Sequence, residues 1–333
     1  MNRALNVIKP LLLWLTAGCL VYAIFGFVLG WHDFRQGLAR FPPTGIPLLV
    51  GLSLANYLMR FGRWSLYLSR LSLEVPRRES WALFFATFAM VVTPGKLGEI
   101  YKAVHLRDKR GVPLSAGLSV LIAERLTDVL AILLLAAVGL FWWDGLFAGT
   151  AARAGALLIL VLAVASLRSG RLQTAMISRL SRSSRLRDRA EEVRDTLNWL
   201  PAVTSGSTAA ASLSLSVAAW FCECLSLWLI CGHLGHHIGL GPSVFIYAAA
   251  TLAGSLAFLP GGLGGTEATL VLLLSSLDVP RGAALSVALL VRLVTLWLAV
   301  LIGLAVFAGA RRVLFDPPDP HAESPRLDGA GLE

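Results

Sequence analysis

Apolar residues in this chain gather into blocks of roughly twenty, divided by short basic stretches, and an α-helix needs about 20 such residues to cross about 30 Å of hydrocarbon. Of 333 residues, 56% are hydrophobic and 15% charged, against norms of about 45–50% and about 25%. These proportions point away from a soluble fold and toward a polytopic membrane protein. The hydrophilic remainder, at about 168–207 and 310–333, is too short for a globular appendage. Any chemistry therefore belongs inside the membrane portion.

Lys and Arg number 29 against 20 Asp and Glu, a formal net charge of +9. In a soluble chain that excess would suggest nucleic acid. Here the arginines crowd into particular loops, which the positive-inside rule explains better, and no nucleic-acid partner is expected. Cys19, Cys222, Cys224 and Cys231 fall in or at the ends of apolar blocks. Cys222 and Cys224 point to different sides of one helix, so no disulfide framework is implied. Cys231, His233, His236 and His237 follow no established ligand spacing, and neither a metal nor a cofactor is expected.

Full spans are expected at about 11–30, 45–67, 114–141, 154–167, 207–231 and 283–309. Two further apolar pieces are broken. The first runs from Trp81 to Val92, stops at Thr93-Pro94-Gly95 and resumes from Lys96 to Leu106. The second runs from Ser243 to Leu259, stops at Pro260-Gly261-Gly262-Leu263-Gly264-Gly265 and resumes from Thr266 to Leu277. Arg60, Arg63, Arg70, Arg77 and Arg78 precede the first break, and Arg107, Lys109 and Arg110 follow it, so both ends of that piece should be cytoplasmic. The eight arginines between Arg168 and Arg194 place that loop inside too, with Arg171–Arg194 expected to lie on the anionic inner leaflet, a protein partner being the alternative. If the second broken piece returns to the outer side, the last span ends inside beside Arg311 and Arg312. Charge thus favours about six full spans plus two re-entrant hairpins, one from each face.

An internal repeat points the same way. Pro94-Gly95-Lys96-Leu97-Gly98 matches Pro260-Gly261-Gly262-Leu263-Gly264 at an offset of 166. Val112-Pro113, Leu118-Ser119-Val120 and Arg125 match Val279-Pro280, Leu285-Ser286-Val287 and Arg292 at an offset of 167. Opposite insertion of the two copies gives an inverted-topology repeat, a plan that puts a binding site near the midplane where broken helices meet. The expected architecture is an all-α membrane bundle over 1–310, with repeat halves at about 45–141 and 207–309, a cytoplasmic basic loop at 168–206 and a disordered cytoplasmic tail at 311–333.

Charges at the bilayer centre cost roughly 2.5–3.5 kcal/mol each on insertion scales, so those present need a reason. Glu124, Arg125 and Asp128 share one span, Glu223 lies in another and Arg292 in the last. Lys96, Glu99 and Lys102 lie on the first hairpin and Glu267 on the second. A shared polar cavity would accommodate them. Alternatively they pair with one another and only hold helices together: Arg125 and Asp128 are three apart and could pair locally, while Glu124 and Asp128 want a cation from another segment, for which Arg292 or Lys96 would serve. Arg125 and Arg292 occupy matching repeat positions, and an arginine fork suits a phosphate group. Gly95, Gly98, Gly261, Gly262, Gly264 and Gly265 bare the backbone N–H groups where the chain reverses, which suits an anion; close packing through small residues is the competing account.

The runs Thr93-Pro94-Gly95-Lys96-Leu97-Gly98-Glu99, Glu124-Arg125-Leu126-Thr127-Asp128 and Pro260-Gly261-Gly262-Leu263-Gly264-Gly265-Thr266-Glu267, followed by Arg292, resemble the family named for the transmembrane region of lysylphosphatidylglycerol synthetase, the flippase-like membrane proteins. The resemblance covers about residues 5–310. It implies a multi-pass protein of the bacterial inner membrane, both termini cytoplasmic, that moves lipids between leaflets. Anionic phospholipids, polyprenyl-phosphate-linked sugars and hopanoid-type lipids are the implied substrates. Gly95, Gly98 and Glu99 match its first glycine-acid motif, Glu124, Arg125 and Asp128 its acid-arginine-acid motif, and Gly261, Gly262, Gly264 and Glu267 its second glycine motif. Lys96 and Lys102 stand where arginine is more usual, which keeps charge and weakens bidentate binding there. Some twenty residues follow the last span, so the synthetases' cytosolic aminoacyl-transferase domain, and lipid aminoacylation with it, is expected to be absent. Three function classes stand at this point: a lipid flippase-like transporter, a non-transporting scaffold for a glycosyltransferase or envelope complex, and a membrane-embedded lipid-modifying enzyme. The third is disfavoured because the histidines lie outside the span centres.

Overall fold

The computed structural model describes residues 41–93, 98–143, 149–168, 187–256 and 260–315, with single positions at 16, 35 and 39. Nearly all of the first expected span (11–30) lies outside the described residues. So do 94–97 of the first break, 169–186 of the basic loop and 316–333 of the tail. Among the described residues the chain is helical, without a strand.

The first half contributes α1 (Ile46–Arg70), α2 (Arg77–Ala86) continuing as a 3-10 turn over Thr87–Met90, α3 (Tyr101–Arg110), α4 (Leu114–Phe141) and α5 (Thr150–Arg168). The connecting α6 (Arg187–Thr204) follows. In the second half come α7 (Gly206–His233), α8 (Leu240–Leu256), a 3-10 turn at Pro260–Gly262, α9 (Gly265–Ser275), α10 (Arg281–Arg292), α11 (Leu298–Gly309) and the short α12 (Arg311–Phe315). Pro76, Pro113 and Pro280 occupy the N-cap positions of α2, α4 and α10, where the missing N–H of proline costs nothing. Both expected breaks are present: α2 gives way before α3, and α8 before α9. At the second, Gly261, Gly262 and Gly264 have φ of 61°, 68° and 86°, a left-handed region that disfavours other residues.

Of the described helices, Gly206–His233 and the composite Arg281–Gly309 are long and apolar enough to cross a membrane on those grounds alone. Leu114–Phe141 matches them with 28 residues but carries three charges at its middle. Along α5, Leu158, Ile159, Val161 and Leu162 are more than half exposed, an apolar band suited to lipid rather than water. In the described part of the hydrophilic stretch, α6 turns Leu197, Leu200 and Val203 into the bundle; these lie beyond Arg171–Arg194, most of which is outside the described residues.

Two apolar cores form. One gathers α1, α2, α6 and the end of α11; the other gathers α7, α8, α9 and α10. α4 serves both, with Ala123 in the first core and Ala131 in the second. Two glycines let long helices reach across. A Cβ on Gly139 of α4 would lie 2.5 Å from the Phe245 nitrogen of α8, and one on Gly303 of α11 would lie 2.2 Å from the Ala89 nitrogen beyond α2. The helix after each hairpin thus packs on the other hairpin. Because backbone cannot yield as a flexible side chain does, Gly303→Ala is expected to destabilise by about 1–3 kcal/mol. Gly51→Ala, with nothing within 4 Å, should be neutral or slightly stabilising. Thermal unfolding of both variants in one detergent measures the contrast.

Between α10 and α11 the expected continuous span loosens into a π turn at Leu293–Trp297. Such a turn shifts the backbone hydrogen bonds, and carbonyls released there need other donors. Helix α1 supplies them: Ser53 Oγ donates to the Val294 carbonyl at 2.7 Å and Tyr57 Oη to the Thr295 carbonyl at 2.6 Å.

Candidate functional site

A polar stripe runs down α1 through Ser53, Asn56, Tyr57, Arg60, Arg63 and Tyr67, at the three- and four-residue spacing that keeps side chains on one face. It meets α4, where Glu124 and Asp128 lie one turn apart and are 1% and 4% exposed. Arg63, itself 1% exposed, donates from Nη1 to Asp128 Oδ1 at 2.6 Å and to Thr127 Oγ1 at 3.1 Å. Trp220 of α7 donates from Nε1 to the same Oδ1 at 3.1 Å. Arg125 Nη2 lies 3.0 Å from Glu99 Oε2 and 3.4 Å from Asp128 Oδ2, and Arg60 Nη2 lies 3.5 Å from that Oδ2.

The expected local pair of Arg125 with Asp128 is present at 3.4 Å. From other segments Arg63 and Lys102 hold Asp128 and Glu124, whereas Arg292, one of the two cations expected there, pairs with Glu267, and Lys96, the other, lies outside the described residues. Lys102 Nζ donates to Glu124 Oε2 at 2.8 Å, with the rings of Trp64 and Phe84 at 4.7 and 5.0 Å from the ammonium. Arg60 and Arg63, read in the sequence among the flanking charges that set topology, are inward-facing members of this network. Their signal was present in the one-face spacing of the α1 polar residues, which a count of loop charges overlooks.

In the second half, Arg292 at the end of α10 donates from Nε to Glu267 Oε1 at 2.8 Å and from Nη2 to the Gly261 carbonyl. Glu267 Oε2 in turn accepts from the Gly264 N–H at 2.7 Å. The glycine turn is thereby tied to two helices by one ion pair. Gly254 lets the turn approach α8: a Cβ there would meet Thr266 Oγ1 at 2.0 Å. Nearby, Tyr247 Oη donates to Glu223 Oε2.

These groups surround a cavity of about 260 Å³. Arg60, Glu99, Arg125 and Asp128 line it from the first half of the chain, and Glu223, Gly261, Gly262 and Arg292 from the second. Tyr57, Trp220 and Tyr247 add aromatic wall. The volume falls just below the usual 300–1,000 Å³ of drug-sized pockets. Not every sequence candidate reaches it. Lys102 and Glu124 form their ion pair behind the wall, Glu267 and Gly264 brace the turn, and Gly265 begins α9. Gly98 donates its N–H to Thr93 Oγ1 at 2.9 Å and packs against Met90, while Gly95 lies outside the described residues with Lys96. Among the described residues Arg60, Arg63, Lys102, Arg125 and Arg292 face Glu99, Glu124, Asp128, Glu223 and Glu267, so the formal charges of the network balance.

Comparison with known proteins agrees with a membrane role. The family model described as the lysylphosphatidylglycerol synthase TM region matches residues 15–303. A UPF0104 membrane protein of Methanothermobacter thermautotrophicus is 34% identical over 94 residues, which span 28% of each chain. A UPF0104 membrane protein of the same organism is 22% identical over 314 residues, covering 86% of this chain and 92% of the relative. UPF0104 membrane protein MJ1078 of Methanocaldococcus jannaschii is 23% identical over 249 residues, covering 69% of this chain and 97% of the relative.

Proposed function

This chain belongs to the family of the lysylphosphatidylglycerol synthase TM region, and from that membership we propose that it carries a lipid with an anionic or glycosylated head group across the bacterial inner membrane. The observation that carries the proposal is the cavity where guanidinium groups from both halves, Arg60, Arg125 and Arg292, meet the bare backbone of Gly261 and Gly262. Guanidinium groups and glycine N–H groups are the donors that suit a phosphate or a hydroxyl-rich head. A head group of suitable size sits in the cavity while its tails stay outside, along surfaces such as Val129 and Leu293, which are 46% and 44% exposed.

The proposed topology has six spans, two hairpins entering from opposite faces, and both termini in the cytoplasm. Reciprocal packing of α4 on α8 and of α11 on the first hairpin supports a two-fold relation between the halves, and the inverted sense is proposed from the loop charges. Rocking one half against the other would expose the site alternately to each side. Transport is proposed here, without a catalytic step.

The test is head-group exchange between leaflets in proteoliposomes, using labelled phosphatidylglycerol and a labelled lipid-linked sugar. Arg125→Lys, which keeps a cation beside Glu99 but loses the planar fork, is expected to slow movement about tenfold or more, the effect of about 1.4 kcal/mol on the barrier, with little change in unfolding temperature. Folded wild-type protein that moves neither lipid overturns the proposal. Stoichiometric capture of an envelope glycosyltransferase by a chain inert in transport would favour a scaffold instead.

A further inference from the structure

The two oxygens of Asp128 live in different surroundings. Oδ1 is held by Arg63 at 2.6 Å and Trp220 at 3.1 Å. Among the described residues Oδ2 has the contacts to Arg125 at 3.4 Å and Arg60 at 3.5 Å, well beyond the about 2.7–2.9 Å of a strong charge-assisted bond. Arg63 is enclosed, its side chain 1% exposed, and does not line the cavity. Arg60 and Arg125 do line it, with side chains 14% and 35% exposed.

Both cavity arginines also have unused capacity. A guanidinium offers five N–H donors in a planar fork. The buried Nε of Arg60 and the buried Nε of Arg125 each find no hydrogen-bond acceptor among the described residues. Arg60 meets one carboxylate oxygen, at the long distance, and the Trp220 ring at 5.7 Å. A phosphate ester presents the same kind of anionic oxygen as a carboxylate at bidentate spacing, as many in a diester and one more in a monoester.

We propose that Asp128 Oδ2 is a built-in stand-in for a ligand oxyanion, and that Arg60 together with Arg125 forms the subsite that takes the phosphate ester in its place. The inference rests on reading the cavity as a head-group site. An arriving phosphate draws Arg60 and Arg125 off Oδ2, while Oδ1 stays with Arg63 and Trp220, so α4 and α7 keep their alignment during the exchange. When the phosphate leaves, Oδ2 recovers both cations, Arg125 having also Glu99 Oε2 at 3.0 Å, so Arg60 above all is not left buried without a counter-charge. Asp128 therefore weakens binding and eases release, as a carrier needs: it must let go on the far side.

The sign of this effect separates it from a structural role. In Asp128→Asn the amide oxygen still accepts from Arg63 and Trp220, while the amide nitrogen no longer competes for the cavity arginines. The probes are glycerol 3-phosphate and short-chain phosphatidylglycerol, titrated calorimetrically into the full chain in detergent. Asp128→Asn is expected to bind about tenfold tighter than wild type, or about 1.4 kcal/mol. Arg60→Ala in the same background should abolish the gain. A gain for both probes assigns the subsite to the phosphate ester itself, and a gain with only the lipid or only the soluble ester assigns it to that source.

Equal or weaker binding by Asp128→Asn, alongside wild-type binding and transport, overturns the stand-in and leaves the head-group site intact. If that variant fails to fold, Arg60→Gln decides. Its loss of about tenfold in affinity at unchanged thermal stability supports the subsite, and unchanged affinity removes it. Absence of binding by every form of the protein removes the head-group reading and this inference together.

Discussion

Replacing Glu267 by alanine is expected to cost about 3–5 kcal/mol of stability, the usual loss when one partner of a buried ion pair is removed. Glu267 is 1% exposed and makes two bonds with different jobs. Its Oε1 neutralises Arg292 at 2.8 Å, and its Oε2 accepts the Gly264 N–H at 2.7 Å, closing the start of α9. Alanine takes the Glu267 carboxylate away from the Arg292 guanidinium, whose Nη2 still donates to the Gly261 carbonyl, and it also frees the turn whose glycines have positive φ. Glu267→Gln keeps an acceptor for Gly264 and a similar shape while removing the charge, so its loss should be smaller. Denaturant unfolding in mixed micelles measures both. A loss under about 1 kcal/mol for the alanine variant would mean that the turn is held by packing, since exposed pairs contribute in that range. Because Gly261 and Gly262 line the cavity, the glutamine variant should also show whether charge at Glu267 tunes the site or only braces it.

Helix limits were legible in the sequence wherever a covalent peculiarity marks them. Proline before α4 and glycine in the second break act through local geometry alone, and α4 begins and ends at the expected residues, whereas α2 and α10 begin directly after Pro76 and Pro280, ahead of the expected Trp81 and 283. Intramembrane charge also identified much of the network, because hydrocarbon makes an unmotivated Glu124 or Arg292 too costly. What local chemistry does not encode was missed. The π turn at Leu293–Trp297 depends on hydroxyls of Ser53 and Tyr57, more than two hundred residues away in the chain. Arg60 and Arg63 have the composition of topology-setting charges, and only the packing of α1 on α4 and α7 turns them inward. The same applies to pairing. Spacing on α4 shows that Asp128 needs a cation but not which of several buried cations reaches it, and Arg63 won over Arg292 because α1 lies alongside.

Lys102 and Glu124 separate structure from function most sharply, since the sequence placed both among substrate contacts and the structure sets them behind the cavity wall. Removing either alone should cost about 3–5 kcal/mol, because a single buried charge remains. Glu124→Ala leaves an ammonium that is 3% exposed in contact with Trp64 and Phe84, and cation–π attraction offsets at most about 2 kcal/mol of its desolvation. Exchanging both for apolar residues of similar length, Lys102→Met with Glu124→Leu, removes two desolvation penalties along with one attraction and commonly leaves stability unchanged or higher. Recovery to within about 1 kcal/mol of wild type is the expected result. The double variant then becomes the informative one in the proteoliposome assay. Normal transport would mean that the pair only joins α3 to α4. Lost transport in a protein of restored stability would mean that these charges serve the cycle from behind the wall, with Glu124 exchanging partners as the first hairpin moves against α4. Because stability and movement are read on the same purified protein, misfolding cannot pass for a lost function.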